Sequence, residues 1–192
     1  MAARPALLVL LTLLGVCAHA RKLTQDAPES LYAAVSALPA LSTLKTAIDT
    51  AGLQEALSDP NLEVTVLVPN NAAFQDLLDD DCQDGDEDSA GKLCSLDQVL
   101  ADKERLTKIL QYHVITQLVP TSAWPATGDA APVTVPTLLE GATLQLDTEE
   151  DDGQLELQVD VAGSDAKLTA DRDVKVGKSL VHVIDEVLLP AL

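Results

Sequence analysis

Two kinds of apolar spacing divide this sequence. Up to about residue 112 the apolar positions recur every three or four residues, as on a helix face; beyond it they alternate or run together in short β-branched clusters, as in strands. The chain is organised around one stretch within the first part, Leu62 to Leu78, LEVTVLVPNNAAFQDLL. From Val64 to Val68 every residue is β-branched or leucine, which predicts a buried strand. Pro69 has no amide hydrogen for a further ladder bond, and Asn70 and Asn71 offer side-chain oxygens to the free amides of a following helix. Ala73, Phe74, Leu77 and Leu78 then share one helical face, so strand and helix together are expected at the centre of a domain, with Phe74 in its core.

Upstream, Asp26-Ala-Pro-Glu29 reads as a helix start, and Leu31, Ala34, Val35 and Leu38 form its apolar face. Ser42 is placed to cap a second helix carrying Leu44, Ala47, Ile48 and Ala51, with Gly52 as a left-handed stop. Leu53 to Leu57 predicts a further short turn. Downstream, Asp79 to Cys94 is an acidic insertion with no apolar period. Ser95-Leu-Asp-Gln98 then fits a capping box, and Leu96, Val99, Leu100, Leu106, Ile109 and Leu110 continue a helical face interrupted near Asp102. Strand patterns follow at Val133 to Val135, Thr143 to Asp147, Leu155 to Val161, Leu168 to Thr169 and Val181 to Leu189. The central strand is expected to pair with the last of these, with Val181 and Val183 on one side and His182 and Ile184 on the other. Glu149 to Gly153 reads as the turn of a hairpin spanning Ala142 to Val161. The fold class that results is α+β, N-terminal helices packed beside a mostly antiparallel sheet.

The first 20 residues change the organisation. Arg4, an apolar run from Ala6 to Val16 and Ala18-His19-Ala20 form the three parts of a secretory signal peptide (1–20), too short in its apolar run to span a bilayer. A single domain is expected over 21–192, with its core at about 27–190 and the acidic insertion at 79–94. The charge narrows the partners. The chain holds 12 Lys and Arg against 31 Asp and Glu, a net charge of −19. Such a surface repels nucleic acid and anionic membranes, which are bound through basic side chains. It suits a secreted, extracellular protein with no stable membrane anchor. Cys82 and Cys94 are the two cysteines left after signal cleavage, and an oxidising compartment favours their pairing as a disulfide; two free thiols or half of a metal site are the alternatives.

The central stretch TVLVPNNAAF resembles the first signature of the fasciclin domain family, and two more of its signatures follow in order: Tyr112-His113 in ILQYHVI, and VHVIDEVLLP near the end. On this resemblance Thr65, Pro69, Asn70, Phe74, His182 and Asp185 are structural signature positions. The resemblance also implies a role in cell adhesion or extracellular matrix or cell-wall association, with Ile109, Leu110, Tyr112, His113, Val114 and Ile115 as the candidate interaction motif. The same apolar residues at a helix-to-strand junction would equally be core, so His113 is expected first to make a buried hydrogen bond there. The chain contains neither Asp-Ile nor Arg-Gly-Asp. Some secreted algal members of the family bind carotenoids, which implies an alternative: carriage of an apolar small molecule in a groove lined by leucine and valine.

No catalytic chemistry stands out. His113 and His182, the histidines outside the signal peptide, have no metal-ligating or nucleophilic partners at suitable spacing, and no cofactor is expected. Gly177-Lys-Ser179 resembles the end of a phosphate-binding loop, but its required first glycine is Arg172 and a strand follows instead of a helix. Asp80, Asp84 and Gly85 fit three positions of a calcium loop, yet Gly91 stands where the closing bidentate acid belongs. The expected class is therefore a secreted, non-enzymatic interaction module, with an extracellular protein, a polysaccharide or an apolar small molecule as partner.

Overall fold

The computed structural model describes residues 28–82, 95–126, 131–151, 154–161 and 164–190. The expected signal peptide and the expected Cys82–Cys94 pairing lie outside the described residues, as does most of the acidic insertion. Six helices come first: α1 (Leu31–Ala37), α2 (Ser42–Ala51), α3 (Gln54–Leu57), α4 (Asn71–Cys82), α5 (Leu96–Ala101) and α6 (Lys103–Tyr112). Strand β1 (Thr65–Pro69) is set between α3 and α4, and β2 (Val114–Ile115) follows α6. The remaining strands are β3 (Val133–Pro136), β4 (Thr143–Asp151), β5 (Gln154–Val161), β6 (Ser164–Lys167), β7 (Val174–Val176) and β8 (Ser179–Ile184).

The strands form two sheets, ordered β2-β1-β8-β7 and β3-β4-β5-β6. β1 is central because it pairs on both sides, antiparallel with β2 and parallel with β8, where Leu67 faces His182 and Val68 faces Val183. The one-residue alternation along these strands sends side chains into two cores. Val64, Val68 and Val181 pack under the helices with Leu44, Ile48, Phe74 and Leu106. Leu67 and Ile184 face the second sheet with Ile115, Val135, Leu144 and Val159. Layers of helices, sheet and sheet are the result.

Several boundaries differ from the sequence expectation, each for a local reason. α1 starts at Leu31 with Ser30 as its cap, its hydroxyl accepting the Ala33 N–H, so Pro28 and Glu29 stay outside the helix. Ser42 is the first residue of α2 and does not cap it. A 3-10 turn at Pro39–Leu41 feeds that helix, and the Thr43 N–H is received at 3.1 Å by Asn71 Oδ1 from another part of the chain. α4 runs on to Cys82, into the stretch expected to be insertion. β8 stops at Ile184, because Asp185 turns its carboxylate back to the Lys167 N–H at 2.8 Å. Glu149 and Glu150 belong to the β4–β5 ladder, opposite Glu156 and Leu155, so the hairpin turn is narrower than the acidic run suggested.

Other expectations match. Gly52 stops α2 at φ 76°. The Asn70 Oδ1 caps α4 by accepting the Ala73 N–H at 2.9 Å. Ser95 caps α5 through the Gln98 N–H, and Asp102 separates α5 from α6, accepting the Arg105 N–H at 3.0 Å.

Candidate functional site

α1, α2 and α3 are joined by short turns, α1 packs on both α2 and α3, and the three cover the face of the β2-β1-β8-β7 sheet that turns away from the second sheet, leaving a gap over part of it. The space between is an apolar cleft of about 340 Å³. Leu31, Val35 and Leu38 come to it from α1 and its end, and Val66, Val181 and Val183 from the sheet floor. Three of its lining residues are polar: Gln111, His113 and Asp171. Leu38, Leu138 and Val174 line it while remaining 51%, 52% and 43% exposed, which marks its mouth. Large apolar side chains left in water beside an apolar hollow are what a ligand-binding cleft presents.

His113 lies in the cleft wall but offers it no polar atom. The Leu188 N–H donates to Nε2 at 3.0 Å, so the ring proton is on Nδ1, which donates to the Ile109 carbonyl at 2.8 Å. Burial pushes this imidazole down to about 4, against the opposing pull of the Ile109 bond. The other five residues of the candidate interaction motif are also buried: Ile109, Leu110, Tyr112, Val114 and Ile115, the last with no exposed surface. The Tyr112 hydroxyl donates to the Thr143 carbonyl at 3.3 Å, and burial raises its pKa. The structure thus brings all six together at the junction of α6 and β2, facing inward.

The signature positions form a scaffold around β1. Thr65 Oγ1 donates to the Gln117 carbonyl and accepts the Val119 N–H, both at 2.8 Å. His182 Nε2 donates to the Val119 carbonyl at 3.0 Å, and its Nδ1 accepts the Asp173 N–H at 3.1 Å. Burial lowers the His182 pKa, and Trp124 meets its ring edge-on at 6.2 Å. Asp173 sits at φ 55°, held there by Thr121, whose N–H and hydroxyl both donate to its carboxylate. Burial opposes ionisation of that carboxylate, but the Thr121 bonds prevail and its pKa is lowered. Pro69 ends β1 opposite Ile184, and Phe74 is buried under the helices. Thr65, His182 and Asp173 thus have their partners within the fold, whereas the buried Trp124 Nε1 has no hydrogen-bond partner among the described residues.

Gly177-Lys178 proves to be the tight turn joining β7 to β8, and Ser179 opens β8, consistent with the failure of the stretch as a phosphate loop. Among the described residues no group of three or more His, Cys, Asp and Glu side chains is placed to hold a metal ion. No single described helix is long and apolar enough to cross a membrane. Sequence reasoning did not locate the residues of the cleft. The available signal was Leu38 directly before Pro39 and Leu138 directly after Pro136-Thr137, large apolar residues placed where helix and strand must end.

Comparisons with known proteins agree with this architecture. Protein sll1483 of Synechocystis sp. is 32% identical over 151 residues, 79% of this chain and 68% of that protein. The solved FAS1 domain pair from the insect cell adhesion molecule Fasciclin I superposes with a TM-score of 0.53 at 22% identity, over 77% of this chain, which spans 44% of that pair. Residues 39–190 match the fasciclin domain, from the turn before α2 to the end of the described chain. The chain belongs to the fasciclin domain family.

Proposed function

We propose that this protein is a secreted, non-enzymatic fasciclin module that carries an apolar small molecule in the cleft between α1–α3 and the sheet. The observation behind this reading is the cleft itself, about 340 Å³ and almost wholly apolar, with Leu38, Leu138 and Val174 exposed at its mouth. A volume in the range of roughly 300–1,000 Å³ is typical of small-molecule sites. Burial of a linear hydrocarbon, such as a carotenoid, against these side chains would remove both surfaces from water at about 25 cal/mol per Å². The acidic surface, −19 for the whole chain, keeps the loaded complex dispersed. Fasciclin domains occur in secreted and extracellular proteins, which fits the N-terminal signal sequence.

The experiment is a visible absorption spectrum and an organic extract of protein purified from its native source. A bound chromophore or lipid in stoichiometric amount supports carriage, and a colourless protein whose extract is empty overturns it.

Family membership favours a second reading, cell adhesion or matrix association through an extracellular protein or polysaccharide. The similar insect structure comes from a cell adhesion molecule. Under that reading the cleft mouth is the contact surface, since Tyr112 and His113 face inward. Attachment of cells to immobilised protein, lost on changing Leu138 to Glu, is the outcome it requires.

A further inference from the structure

We propose that Asp171 makes the cleft selective for an uncharged ligand carrying a hydroxyl group, and excludes the carboxylate of a free fatty acid. This rests on the small-molecule reading above and names the ligand's polar end. Of the three polar lining residues, His113 has both ring nitrogens engaged by Ile109 and Leu188, leaving Gln111 and Asp171. Neither side chain is bonded to another described residue.

The sheet order places these two groups at opposite edges of the cleft floor. Gln111 is in the last turn of α6, beside β2, where Leu138 donates its N–H to the Val114 carbonyl at 2.7 Å. Asp171 precedes β7, and its carbonyl accepts the Val183 N–H of β8 at 2.9 Å. Strands β1 and β8, about 4.8 Å apart, therefore lie between a neutral amide and a carboxylate. An elongated apolar body lying across the strands brings one end to Asp171. A hydroxyl there donates to the carboxylate in a charge-assisted hydrogen bond. A ligand carboxylate meets a like charge there, a repulsion that water moderates because Asp171 is exposed.

Among the described residues no lysine or arginine lines the cleft to reverse that preference. Arg172 is adjacent in sequence, but its charge acts on Asp173 and His182, which lies on the opposite face of the sheet. The net charge of −19 adds a weaker, long-range repulsion of the same sign. The chemistry therefore points away from the common anionic lipids and towards alcohols.

Displacement of the neutral fluorescent probe N-phenyl-1-naphthylamine from the signal-cleaved protein by oleyl alcohol and by oleate tests this, in mildly alkaline buffer of moderate salt. The alcohol is expected to bind about fivefold tighter than the acid, on the scale of one close charge pair in contact with water. Asp171→Asn, an exposed change that leaves the backbone bond to Val183 intact, should shrink that ratio at least threefold, mainly by improving oleate. Asp59→Asn, a neutralisation in the turn after α3, should leave the ratio unchanged. Equal binding of alcohol and acid, or a ratio unmoved by Asp171→Asn, overturns the selectivity while small-molecule carriage stands. Failure of the probe and both lipids to bind overturns carriage and selectivity together.

Discussion

His113 is held neutral by two backbone partners, and that geometry fixes how the fold responds to acid. Its pKa falls from 6.5 unfolded to about 4 folded, so between these values the unfolded chain binds more protons than the native one. The stabilisation from neutral His113 is fully present above pH 6.5 and is lost progressively as pH falls towards 4. A difference of that size corresponds to roughly 3 kcal/mol. His182 acts in the same direction, because burial also lowers its pKa. Urea denaturation across this pH range should show stability declining through it, and His113→Ala should flatten the slope without removing the His182 part. The same variant is expected to lose about 2–4 kcal/mol at neutral pH, since the Leu188 N–H loses its acceptor and the buried ring leaves a void. Lost adhesion at unchanged stability would instead make Tyr112 and His113 a contact pair.

At the scale of elements, β1 and α4 carry the architecture, and two substitutions probe the packing around them. Phe74 projects from α4 into the core under the helices, 6% exposed, and Phe74→Ala should cost about 3–5 kcal/mol. A loss below about 1 kcal/mol in denaturant titration would place the mechanical centre of the core elsewhere. Gly177 turns β7 into β8 at φ 56°, and a Cβ there would lie 2.9 Å from the Glu29 carbonyl oxygen and 3.2 Å from that of Pro60. Both neighbours are backbone, so Gly177→Ala must strain the turn or push apart the segments entering α1 and β1; a loss of about 2 kcal/mol or more is expected. The elements themselves were largely legible, because LEVTVLVPNN states a buried strand, its stop and a cap within ten residues, and the valine alternation around His182 assigns the two faces of β8. Long-range substitutions for local rules were not. Asn71 capping α2 across the fold and Asp185 ending β8 depend on neighbours that no window of sequence contains. The cleft was illegible for a related reason: Leu31, Val66 and Val183 carry the same apolar pattern whether they touch each other or face a gap.

For the whole molecule, net charge and a ligand held in the cleft act on stability in opposite ways, and salt separates them. The chain has 31 acidic and 12 basic side chains, so its compact state brings together 19 uncompensated negative charges. Sodium chloride shortens the Debye length from about 30 Å at 0.01 M to about 3 Å at 1 M, which relieves that repulsion more in the folded state than in the expanded one. The ion pairs Lys45–Asp49, Lys167–Glu156 and Lys178–Glu63 weaken at the same time, but these are solvent-accessible pairs that contribute little to stability. The repulsion involves many more charges, so Tm should rise by several degrees over this range. Chloride is the proper salt, because sulfate stabilises folded chains by exclusion whatever their charge. A bound apolar ligand adds to stability by mass action, in proportion to RT ln(1 + [L]/Kd), and for an uncharged ligand that increment depends little on salt. Loaded and ligand-free protein should therefore trace nearly parallel, rising curves of Tm against sodium chloride, the loaded one higher. A Tm that falls with salt would show that the ion pairs outweigh the net charge, and curves that converge would show that the ligand is held electrostatically and not by the apolar walls.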